Sequence, residues 1–145
     1  MEFISAEEFR KQSNKVQELL IKWFLLNKST EDLVQVELHP KPEIRLYSER
    51  LQNSKLQFEY KKGYQFKGKT ISGKYETTPL LTEGQLRRFI EDKTGGKVES
   101  YYAWDWYTIA IRDTKCGGDD PQIDTEETNL LQAYWKVACE IASKL

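Results

Sequence analysis

The sequence predicts an α+β protein: an antiparallel β-meander of four to five strands packed by N-terminal, central and C-terminal helices. Three observations carry that prediction. Apolar residues recur every three to four positions at both ends of the chain and around residues 83–93, the period of an amphipathic helix. From residue 33 to 66, and again from 98 to 111, the period falls to two, as in a strand with one covered face. The strands of the first stretch follow one another with no helical segment between them, which favours hairpins over parallel crossovers. A chain of 145 residues is expected to be one domain, residues 1–145, able to enclose one sizeable core.

The helices announce themselves at their starts. In ISAEEF, Ser5 is placed as N-cap with Glu8 three residues on, and Ile4 and Phe9 occupy the two positions of a hydrophobic staple. A second helix, capped by Ser13 or Asn14, is predicted over 15–27, with Val16, Leu19, Leu20, Trp23 and Phe24 on one stripe. Strands follow in LVQVELH, EIRLYS and KLQFEY, and Lys62-Gly63 is expected to turn the chain into YQF. Gly68 and Gly73 are expected at further turns, and the two prolines of HPKP place a bend beside an edge strand. LTEGQL repeats the capping logic with Thr82, Gln85, Leu81 and Leu86, and the helix over 83–93 stops at Gly95-Gly96. KVESYYAWDWYTIAIR reads as one strand whose apolar parity switches, which predicts a bulge near residues 105–107. A last helix is predicted over 125–143, with Asp124 and Glu127 at its start and a wide apolar face below.

Composition excludes several classes. With 39% hydrophobic, 31% charged and 12% aromatic residues, the chain is neither disordered nor built of membrane spans. The opening MEFISAEEFRKQ lacks the basic and apolar regions of a secretory signal, so a cytoplasmic location is expected. Cys116 and Cys139 stand outside any CxxC and are expected as free thiols. The lone His39 leaves no zinc ligand set, and no phosphate loop, nucleophile elbow or dinucleotide fingerprint is present. Cys116 has no base near it in sequence. No catalytic residue, metal or cofactor is therefore assigned, and the protein is expected to act without catalysis.

The net charge of −1 is unevenly spread. Residues 41–74 carry nine Lys or Arg against three acids, and residues 113–140 carry seven acids against two lysines. Alternation in 55–66 puts Leu56, Phe58, Tyr60, Tyr64 and Phe66 on one side, and two readings follow. The rings are core and the lysines solvated, or Arg45, Lys55, Lys61, Lys62, Lys67, Lys69 and Lys74 make a basic face for nucleic acid or an acidic partner. The overall pI near 6.0 weighs against non-specific nucleic-acid binding. In SYYAWDWY, five large rings fall within seven residues. Either a central strand buries them on both faces, or Tyr101, Trp104 and Trp106 anchor an interface. The loop GGDDPQIDTEE lacks calcium-loop spacing; Asp119 and Asp120 are placed at the rim of that interface.

Two blocks, LLTEGQLRRFIEDKTGG and LLQAYWKVACEIASKL, together with the opening FISAEEFRKQSNKVQELLIKWF, resemble small uncharacterised proteins of phages and prophages of Gram-positive bacteria. The resemblance covers the two ends and the 80–96 block. It carries no established activity and so transfers no catalytic residue. It implies a mobile-element accessory protein in a bacterial host cell that binds a host or defence protein, in the manner of an inhibitor. A nucleic-acid-binding protein using the 45–74 sheet is the alternative expectation.

Overall fold

The computed structural model of the chain describes residues 2–27, 32–37, 41–46, 51–52, 57–66, 69–114 and 120–145, with backbone alone over 51–76. The elements are α1 (Ala6–Arg10), α2 (Asn14–Asn27), β1 (Leu33–Val36), β2 (Glu43–Leu46), β3 (Leu51–Gln52), β4 (Gln57–Phe66), β5 (Lys69–Pro79), α3 (Glu83–Thr94), β6 (Lys97–Ala103), β7 (Trp106–Arg112), β8 (Gln122–Asp124) and α4 (Leu130–Lys144). The class is α+β, and every strand pairing is antiparallel. The strands form two sheets, ordered β2-β1-β5-β4-β3 and β6-β7-β8. The chain divides into two compact units, residues 1–17 with 81–145, and residues 18–80.

In the discontinuous unit, capping sets the helix starts as the residues dictate. Ser5 Oγ accepts from the Glu8 N–H at 3.2 Å, and Ile4 and Phe9 are both buried. Thr82 and Gln85 close a reciprocal capping box, with Leu81 and Leu86 sealed beneath it. Gly95 ends α3 at φ 73°, a conformation that glycine takes without a Cβ penalty. Gly96 follows for a different reason. A Cβ there would stand 2.6 Å from the Arg112 carbonyl oxygen and 2.7 Å from Ile111 Cγ2, so only glycine lets α3 turn this closely into β6. Leu86, Phe89 and Ile90 on α3 and Leu131, Tyr134, Trp135 and Ala138 on α4 are buried. The two helices pack on each other, α4 against β7 and α3 against β6. Phe9 stacks on Trp135 with ring centroids 6.1 Å apart.

α4 starts later than its local signals suggest. Asn129 is the N-cap, and Gln122–Asp124 is a strand. The reason is tertiary. Thr125 is fully buried, its hydroxyl donates to the Tyr107 carbonyl at 2.6 Å, and it accepts from the Glu127 N–H at 3.2 Å. Lys136 Nζ donates to the Thr125 carbonyl at 2.7 Å. Docking residues 122–127 onto β7 gives the backbone of Tyr107 its partners, the Glu127 carbonyl and the Thr125 N–H, which a helical turn there would withdraw.

In the 18–80 unit, the α2 stripe buries Leu20, Trp23 and Phe24. β1 buries Val34 and Val36 between β2 and β5. Two expected turns are corrected. Lys62-Gly63 lies inside β4, where the register with β5 shifts between Lys61 and Gln65; the extra residues are absorbed as a bulge. Gly73 pairs with Tyr60 within the β4–β5 ladder. Gly68 and the His39-Pro40 bend lie outside the described residues.

Candidate docking site

The 97–112 segment is a hairpin, not one bulged strand. β6 and β7 pair from Lys97↔Arg112 to Ala103↔Trp106, leaving Trp104-Asp105 as a two-residue connection. Their φ angles are 57° and 68°. Two positive φ values between the closing pair are the mark of a type I′ turn, whose twist matches the flanking strands. That turn usually takes Asn-Gly. An indole there is costly, because a bulky L-residue at positive φ crowds its own backbone.

Pairing also sorts the side chains. Val98, Ile109 and Ile111 face inward and are buried. Tyr102 and Tyr107 stand opposite each other on that same face, with ring centroids 5.0 Å apart at 63°, an edge-to-face contact. Beyond the helices this face runs into solvent. Tyr102 on this face is 59% exposed and Trp104 at the turn 83%, while Tyr101, on the opposite face, is 41% exposed. Trp106 is half-buried, and its Nε1 is sealed without a hydrogen-bond partner among the described residues, a cost of about 1–3 kcal/mol. Trp104 therefore stands at the tip and Trp106 is part of its footing.

The opposite face is polar. Arg112 Nε donates to Glu99 Oε2 at 2.7 Å, Arg112 Nη2 to Tyr101 Oη at 2.6 Å, and Tyr101 Oη donates to Glu99 Oε2. The tyrosine hydrogen bond, and then that of Arg112, hold the Glu99 carboxyl below the ordinary glutamate range. The same contacts push Arg112 further toward its charged form. Asp120 joins at the margin: its Oδ2 is 3.9 Å from Arg112 Nη1, and its Oδ1 accepts from the Asp113 N–H at 3.1 Å. Tyr101, Trp104, Trp106 and Asp120 thus belong to one hairpin and its flank. Asp119 lies outside the described residues.

The basic candidates fall elsewhere. Lys55 and Lys67 lie outside the described residues. Arg45 on β2 is held by Glu43 at 2.7 Å. Lys61, Lys62, Lys69 and Lys74 are on β4 and β5, where Glu59 stands opposite Lys74, Ser72 opposite Lys61 and Phe66 opposite Lys69. Strand alternation puts position 69 on the other side of the sheet from 61 and 74. His39 and Cys116 lie outside the described residues. Cys139 on α4 is partly buried, and burial pushes its thiol up to about 12. Among the described residues no group of three His, Cys, Asp or Glu is placed to hold a metal ion, and no helix is long and apolar enough to cross a membrane.

Residue-by-residue reading missed Glu99, Arg112 and Tyr102. A usable signal was present: strands seldom exceed ten residues, so a sixteen-residue alternation that flips parity at its middle is better read as two strands. Together the fold and site define an α+β protein that carries an exposed aromatic hairpin. No family model matches the chain, and neither a curated protein nor a solved structure is found similar to it.

Proposed function

We propose that the chain is a non-catalytic binding protein that docks on a protein partner through the tip of the β6–β7 hairpin. One observation carries this reading: Trp104 is 83% exposed at a backbone position that disfavours it. A strained, solvent-facing indole adds little to the fold, and strain of this kind points toward function. Exposed Trp and Tyr are the residues that dominate interface energetics once a partner covers them. Tyr102 widens the patch on one face of the hairpin, Tyr101 lies on the other, and Asp105 and Asp120 put charge at the rim. The resemblance to phage and prophage proteins makes a host or defence protein the expected target and inhibition by occupancy the expected mode. Immobilised protein should retain one stoichiometric protein partner from the host cell, and Trp104→Ala should lose it while melting as the parent does. Retention by the variant equal to that of the parent would refute the reading.

The alternative, nucleic-acid binding by the 45–74 sheet, is favoured by the excess of lysine and arginine there. It predicts a mobility shift of DNA or RNA at low salt that fades steeply as salt rises. Absence of any shift at low salt removes it.

A further inference from the structure

We propose that the chain pairs with a second copy of itself along the outer edge of β2, in one antiparallel register centred on Ile44. The inference stands apart from the docking hairpin, since β2 lies in the 18–80 unit and the hairpin in the other.

The ladders beside β2 show which of its groups point outward. β2 is the end strand of its sheet. On β1, the Leu33 carbonyl accepts from the Leu80 N–H at 3.0 Å, so residues 33 and 35 turn their backbone toward β5. Pro79 stands opposite Val34 and has no N–H to give, which suits a pair that does not bond. Val34 and Val36 therefore bond toward β2, where their partners are Arg45 and Glu43. Ile44 and Leu46, the alternate residues, then project N–H and C=O from the edge of the sheet.

The side chains of β2 are inverted for a lone molecule. Glu43 and Arg45 lie on the side of the sheet that carries the buried Val34 and Val36, while Ile44 and Leu46 lie on the other side, 53% and 46% exposed. Charges that point inward at a sheet edge deter a stray strand. Here the two charges have opposite signs and flank Ile44, so they also choose a register. When an antiparallel second copy sets Ile44 against Ile44, Glu43 of each chain stands opposite Arg45 of the other, twice over about the two-fold axis. A slip that keeps the outward residues paired sets Glu43 against Glu43 or Arg45 against Arg45. A uniformly acidic or basic strand meets one like charge wherever it lies. In the chosen register the two Ile44 residues exchange both main-chain bonds, and Leu46 faces Pro42 of the second copy. Arg45, held by Glu43 of its own chain at 2.7 Å, passes to an equivalent carboxylate, and an exposed ion pair gives up little in such an exchange. Pro42 has no N–H to extend the ladder. The seam is short, and the association is weak and rises with concentration.

Sedimentation equilibrium of the full chain from about 1 μM to about 1 mM should show monomer and dimer in exchange, with amide exchange at Ile44 slowing as concentration rises. Arg45→Glu and Glu43→Arg should each weaken self-association by about tenfold or more. A mixture of those two variants should associate again as a heterodimer, because each acid then faces a base. Ile44→Pro should remove the dimer while the monomer melts as the parent does, since the proline takes away only an outward N–H. A monomer at every concentration, a dimer untouched by Ile44→Pro, or a mixture no more associated than its two parts would overturn the proposal. So would protection at Ile44 that requires a host protein and ignores protein concentration, which would give the edge to a different occupant.

Discussion

Replacing Trp104-Asp105 by Asn-Gly tests what the turn is for. Left-handed backbone costs an L-residue roughly 1–2 kcal/mol, and both turn residues adopt it, with φ 57° and 68°. Asn and Gly tolerate that region, so the double substitution should relieve about 2–3 kcal/mol. Two terms offset this. Trp104 is 83% exposed, so its folded contacts cover only about 40 Å² of a ring that can bury 150–250 Å², about 1 kcal/mol. Glycine adds roughly 0.4–1 kcal/mol of unfolded-chain entropy. The balance is a gain of about 1 kcal/mol, or a Tm higher by about 3 °C in a chain of this size. Thermal melts followed by circular dichroism, with a denaturant series for the slope, measure it. The reasoning predicts a variant at least as stable as the parent that no longer retains the partner. A Tm lower by several degrees would show that the indole is needed for folding, and the functional argument from strain would collapse.

Four further outcomes follow from the same structure. Gly96→Ala should cost about 1–3 kcal/mol, read as a lower denaturant midpoint, because its Cβ meets the Arg112 carbonyl oxygen at 2.6 Å and backbone cannot yield cheaply. Thr125→Val keeps the shape but strands the partners of a buried hydroxyl; a loss of about 1–3 kcal/mol is expected. Cys139 should resist a disulfide reagent at pH 8 in folded Cys116→Ser protein and react once unfolded. Its thiol is raised from 9.0 to about 12, so its stabilising contribution is full below pH 9 and is lost as pH climbs through that window. Glu99 is displaced the other way, below 4.5. Its contribution is present above the ordinary glutamate value and lost only as pH falls through the lower folded value; an NMR titration of its side chain should find the midpoint below 4.5.

What could be read from the chain was what is local. Thr82 with Gln85 and Gly95 after α3 declare a start and a stop because capping involves residues three or four apart. The hairpin is hidden because Trp-Asp carries none of the Asn-Gly signature, and a parity flip fits a bulge equally well. Asp124 and Glu127 imitate a helix start convincingly. Thr125, pinned to Tyr107 from eighteen residues away, decides otherwise, and nothing near it in sequence says so. The crowding of rings at 101–107 was visible in composition alone. Which rings stay outside was not, since Trp106 and Tyr102 are sorted by register across the hairpin. The same holds for the lysines: alternation along β5 sets 69 apart from 74, but that position 61 shares the side of 74 follows only from the cross-strand pairing of Glu59 with Lys74.

The division of the chain into 18–80 and its flanking segments dictates an order of events on the ribosome. The inner segment is fully synthesised while most of the outer unit does not yet exist. Phe9 emerges early but stacks on Trp135, so the first helix must wait through more than a hundred residues of translation before its partner leaves the exit tunnel. During that interval Phe9 has no Trp135 to cover it, the kind of transient apolar exposure that makes a partly made chain prone to aggregate.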